Sequence, residues 1–86
     1  MARKYLIALH LKDVQKSLDI ARIHGQQVDL WCWEKQTGAI LHYKGWWVIS
    51  SHWRGGTHKL KNPLNNEIRE VRDINIFRFN NHEVYV

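Results

Sequence analysis

A single cysteine and a single proline stand in 86 residues, and no apolar run approaches the roughly 18 residues of a membrane span. Each scarcity excludes something. Cys32 has no thiol partner, which rules out an internal disulfide framework and a cysteine zinc cluster and makes a reducing, cytoplasmic setting the simpler expectation. Tyr5 to Leu11 is apolar but short, and it lies too close to His10 and Lys12 for a secretory signal. Acidic residues are also few, 8 against 13 lysines and arginines, for a net charge of +5. A hydrophobic share of 44% nevertheless marks an ordinary folding chain, and its length suits one domain spanning residues 1–86.

What is abundant is tryptophan, and all five lie between Val28 and Trp53. Val28 to Trp33 alternates, with Val28, Leu30 and Cys32 on one side and Asp29, Trp31 and Trp33 on the other, as in a strand. Gln36-Thr37-Gly38 reads as a turn, Ala39 to Tyr43 as a second strand, Lys44-Gly45 as another turn, and Trp46 to Trp53 as a third strand. Trp47 shares its face with Ile49 and is the expected core residue of the Trp46-Trp47 pair, because Trp46 keeps company with Ser50 and His52.

Around this stretch, Tyr5 to Leu11 suits a central strand, and Asp13 offers an N-cap to a helix that carries Leu11, Val14, Leu18 and Ala21 on one side. Gly25 ends that helix, with Arg22 and His24 in its last turn. Glu67 to Arg72 reads as a short strand. Asn80-Asn81 then turns a hairpin in which Arg78 opposes Glu83 and Phe79 opposes His82, with Ile76 on the Arg78 face. The fold class implied is α+β: about six short strands, mainly antiparallel, one helix after the first, and a meander that could curl into a small SH3-like, partly open barrel.

Charge is distributed unevenly. Residues 1–27 and 54–72 each hold five basic and two acidic side chains, whereas the tryptophan stretch between them is neutral. Arg54 to Pro63 packs two glycines among basic side chains and reads as a loop whose backbone could approach a phosphate, although the P-loop spacing is absent. Cations beside flat rings suit RNA or single-stranded DNA, since the cations track phosphates while the rings stack on bases. The candidate nucleic-acid-binding residues are Trp53, Arg54, His58, Lys59, Lys61, Arg69 and Arg72, beside an aromatic face that includes some of Trp31, Trp33, Trp47 and Trp53. A reading from another class makes the exposed tryptophans, with Ile20 and Ile23, a protein interface or homodimer contact.

Gly56-Thr57-His58, followed by basic residues and Asn62-Pro63, resembles the Gly-Ser-His segment of HicA-type messenger-RNA-cleaving toxins. The resemblance implies a catalytic His58 in a small double-stranded-RNA-binding fold that places a helix after its sheet, whereas this chain is expected to end in strands. A metal-independent ribonuclease using His58 with Arg54, Lys59 or Arg69 is thus the third reading. No catalytic residue, cofactor or metal ligand is otherwise indicated, because the six histidines show no ligand spacing and the serines lack a nucleophile motif.

Overall fold

The computed structural model describes residues 8–52 and 54–86, so Trp53 and the Tyr5–Ile7 part of the first expected strand lie outside it. The described chain is α+β, with one helix and seven strands in a mostly antiparallel sheet. In chain order these are β1 (Leu9–His10), α1 (Leu11–His24), β2 (Gln27–Trp33), β3 (Ile40–His52), β4 (Thr57–Lys61), β5 (Ile68–Arg72), a 3-10 turn (Asp73–Asn75), β6 (Ile76–Phe79) and β7 (His82–Tyr85). Across the sheet the order is β1-β7-β6-β2-β3-β4-β5, and β1 runs parallel to β7.

Helix α1 begins two residues before the expected cap. His10 is extended, and its Nδ1 accepts the Lys12 amide at 3.0 Å, doing the work assigned to Asp13. Gly25, at φ 63°, ends the helix as expected: its amide and that of Gln26 both return to the Ala21 carbonyl. Val14, Leu18 and Ala21 are buried against a core of Val28, Leu30, Val48, Leu60 and Phe79, while Ile20 and Ile23 stay exposed. Helix α1 thus covers one face of the sheet, here termed inner, and leaves the other open.

Two expected strands are in fact one. Lys44-Gly45 is not a turn: Val28 pairs with Trp46 and Asp29 with Lys44, so Gly45, at φ 69°, is an extra residue bulged within β3. The bulge keeps Trp46 on the inner face with Val48, where it packs on the core and meets Tyr43 edge-on at 4.7 Å between ring centroids. Trp47 therefore points outward beside exposed Ile49, the reverse of the sequence expectation. A second bulge at Phe77 turns Ile76 into the core and leaves Arg78 outside.

The supposed glycine loop is also mostly strand. Only residues 54–56 form the turn, and Thr57–Lys61 pairs on both sides as β4 because His58 and Leu60 alternate into the interior. The described strands number seven, against the six or so expected.

The SH3-like barrel is not formed either, since the sheet is open, with β1 and β5 as its described edges. Leu9 and His10, from the strand expected at the centre, lie at that edge because β7 is their one described ladder partner. The sheet is nonetheless strongly curled. Four strand spacings separate β5 from β6, about 19 Å if flat, whereas the chain from Arg72 to Ile76 reaches at most about 15 Å. β3 makes the bend by pairing with β2 over Ile40–Trp47 and with β4 over Trp47–His52. The hairpin at Asn80 (φ 46°) and Asn81 (φ 68°) has the expected register, Arg78 with Glu83 and Phe79 with His82.

Trp46→Ala should accordingly cost about 3 kcal/mol of stability, near the lower end for a core indole because Trp46 is only partly buried. Trp47→Ala should cost less than half of that. Urea denaturation of the two variants measures the order, and a larger loss for Trp47→Ala would contradict the assignment of faces.

Candidate nucleic-acid interface

Alternation along the strands sorts the side chains between two faces, and the outer one collects several cations and three indoles. From β2 it receives Asp29, Trp31 and Trp33; from β3 Ile40, His42, Lys44 and Trp47; from β4 Thr57, Lys59 and Lys61; from β5 Ile68, Glu70 and Arg72; and from β6 Arg78. Trp47 stands opposite Lys61 across the strands, Ser50 opposite Lys59, and Arg72 opposite Thr57. The Trp47–Lys61 pair lies where the two arms of β3 join, so ring and cation adjoin at the bend.

The indoles of this face are not equivalent. Trp31 has one side covered by His42, stacked at 3.9 Å and 7°, and the His42 Nε2 is held by Asp29. Trp33 leans on Phe77 at 4.8 Å and 34° but remains 46% exposed. Because the sheet curls, Trp33 and Lys35 at the end of β2 come together with Arg72 and Asn75 around a cavity of about 170 Å³. Its floor includes Cys32 and Tyr43, and burial pushes the Cys32 thiol up to about 11, so it stays a neutral packing group. Among the described residues no hydrogen-bond partner reaches the buried Nε of Arg78.

Of the residues nominated from the sequence, the structure brings Lys59, Lys61 and Arg72 to this face and Arg54 to the turn at its end. Trp53 is outside the described residues. Arg69 lies on the opposite face at the sheet edge, where its guanidinium pairs with Glu67. Lys35, Lys44 and Arg78 were not nominated, whereas Trp33 and Trp47 were among the four indoles from which the aromatic face was expected. The alternation of β2 already separated Trp33 from the core, but the Gly45 bulge concealed the parity of Trp47.

His58 belongs elsewhere. It is 2% exposed on the inner face, and its ring spans two carboxylates, Nδ1 to Asp73 Oδ1 at 2.7 Å and Nε2 to Asp19 Oδ1 at 2.9 Å. Gln15 Nε2 donates to the other Asp73 oxygen at 3.0 Å, and the Asp73 amide donates to the Gly56 carbonyl at 2.8 Å. Helix, β4 and 3-10 turn are thereby clasped together. Burial, the largest influence on the ring, opposes its charge, but the hydrogen bonds and charges of Asp73 and Asp19 together outweigh it, so its pKa lies above the usual 6.5. A cavity of about 330 Å³ with Lys12, Lys16 and Ser51 on its wall adjoins the cluster. With both ring nitrogens bonded, however, His58 offers neither a free base nor a metal ligand. Among the described residues no group of three or more His, Cys, Asp or Glu is arranged to hold a metal ion, and no helix is long and apolar enough to cross a membrane.

Compared with known proteins, the chain matches no family model, no curated protein and no solved structure.

The His58 clasp has a definite pH signature. A folded-state pKa above the unfolded value means that its stabilisation is fully present below about 6.5 and is lost as pH rises through the folded pKa. Wild-type protein should therefore lose urea resistance relative to His58→Gln on going from pH 6 to pH 9, starting from an advantage of about 3 kcal/mol. Parallel denaturation curves with a constant offset across that range would show that the ring is not charged in the folded state.

Proposed function

We propose that the chain is a small module for single-stranded nucleic acid, RNA or DNA, which lies on the outer sheet face. The observation that carries this reading is the half-buried Trp47 ring beside Lys61 on the outer face, with exposed Trp33 on the same face lining a cavity that Lys35 and Arg72 also reach. Sequence-tolerant single-strand binders need those two elements, an exposed π-face for bases and a track of positive charge for phosphates. Lys44, Lys59 and Arg54 lengthen the track, whereas Asp29 is occupied by His42 and Glu70 stands opposite Lys59, which limits their repulsion of phosphate. The reduced, buried Cys32 accords with a cytoplasmic location. The ribonuclease reading draws no support from His58, because a ring closed between two carboxylates cannot take a proton from substrate.

Binding of a labelled single-stranded oligonucleotide should weaken steeply with salt, with a log–log slope corresponding to roughly three to five phosphate contacts. Lys59→Ala combined with Lys61→Ala should lower that slope by about 1.4, and Trp33→Ala should weaken binding at constant slope, while Arg69→Ala changes neither. No binding at low ionic strength, or equal losses from Arg69→Ala and the lysine pair, would remove the proposal.

A further inference from the structure

Strand β5 is the edge of the described sheet, and its hydrogen-bonding pattern determines which of its backbone groups face outward. The Asp73 amide donates to the Gly56 carbonyl and the Asn62 amide to the Glu67 carbonyl, both at 2.8 Å, so residues 67 and 73 address β4. Antiparallel ladders alternate, and therefore 69 and 71 address β4 as well, while Ile68, Glu70 and Arg72 present their N–H and C=O groups away from the molecule. Edge groups of this kind are a template for another strand.

The side chains indicate which strand. In an antiparallel pairing of β5 with itself centred on Val71, Glu70 of one copy faces Arg72 of the other, and Arg72 faces Glu70. These two positions are the ones whose backbone groups point outward, so each such pair exchanges two main-chain hydrogen bonds as well as opposite charges. One step further out, Arg69 falls against Asp73, whose buried carboxylate is taken by His58 and Gln15 and adds no charge pair. The ladder ends where the chain enters the 3-10 turn, and exposed Ile68 (55%) and Ile74 (68%) flank its two ends. The neighbouring symmetric register, centred on Glu70, would oppose the two Glu70 carboxylates and leave Ile68 against Arg72.

We infer that β5 is a self-complementary edge through which two copies of this chain join their sheets, in a two-fold antiparallel pairing centred on Val71. The assignment stands independently of nucleic-acid binding, but its geometry sets the outer faces of the two copies side by side, with Lys59 and Lys61 of both on one continuous surface.

Sedimentation equilibrium from micromolar to millimolar protein tests the pairing. Wild type should dimerise reversibly; Glu70→Arg and Arg72→Glu should each weaken the dimer by about tenfold, since each converts two attractive pairs into repulsive ones, and the double variant should restore it. Because Glu70→Arg also sets like charges across from Lys59 within one chain, Glu70→Pro supplies a second probe: it deletes an outward N–H that the β4–β5 ladder does not use, and it should abolish the dimer while the thermal melt of the monomer persists. A strictly monomeric wild type overturns the inference. So does a dimer indifferent to all these variants, which would lie on another surface such as Ile20 and Ile23, or a double variant that stays as weak as the single ones.

Discussion

The bend in β3 is the constraint on which the rest of this structure depends. A thirteen-residue strand shared between two arms lets a sheet of short strands wrap a core that a flat sheet could not enclose. Two bulges make the bend feasible, one at Gly45, where a positive φ is free of steric cost, and one between Val48 and Ser50. The short 3-10 connection from β5 to β6 depends on that curl and cannot span the sheet without it. So does the cavity that Trp33 and Arg72 both line, since the two residues come from strands far apart in the sheet order.

Against this frame the buried polar cluster acts as a fastener. Ion pairs in an interior are poor sources of stability, because desolvation consumes most of the attraction. The His58 clasp contributes geometry instead: one ring orients Asp19 of the helix and Asp73 of the 3-10 turn toward β4, which fixes where α1 lies and so which sheet face is covered. The opposite face carries exposed Trp33, the partly exposed Trp31 and Trp47, and Lys44, Lys59 and Lys61. Covered and open faces are consequences of the same packing decision.

An open sheet with an exposed edge also has a cost, which natural proteins usually meet with charges and short strands. Strand β5 has both, five residues with Arg69, Glu70 and Arg72, and the alternation of charge sign makes the edge selective as well as soluble. Neutral apolar strands are disfavoured there because they would desolvate unpaired charges, and the favoured register is the one in which Glu70 and Arg72 correspond.

Much of the architecture was legible in the chain. The helix face of Val14, Leu18 and Ala21, its end at Gly25, the inward set of Val28, Leu30 and Cys32, and the Asn80-Asn81 hairpin all follow from local rules of period and backbone freedom, which need no knowledge of distant residues. Lys59 and Lys61 were nominated as loop cations, and it is their pairing in β4 that gives them a common face with Arg72. What failed did so where a single residue changes parity. Gly45 reads equally well as a turn or a bulge, and only pairing with β2 decides between them, reversing the roles of Trp46 and Trp47. Likewise His58 among lysines has the composition of a loop, and its burial was decided by Asp19 and Asp73, 39 and 15 residues away. Sequence by itself determined the local elements and the amount of charge and aromatic surface. Only the tertiary structure decided which rings share a face with which cations, because bulges and curl depend on long-range pairing that no local pattern records.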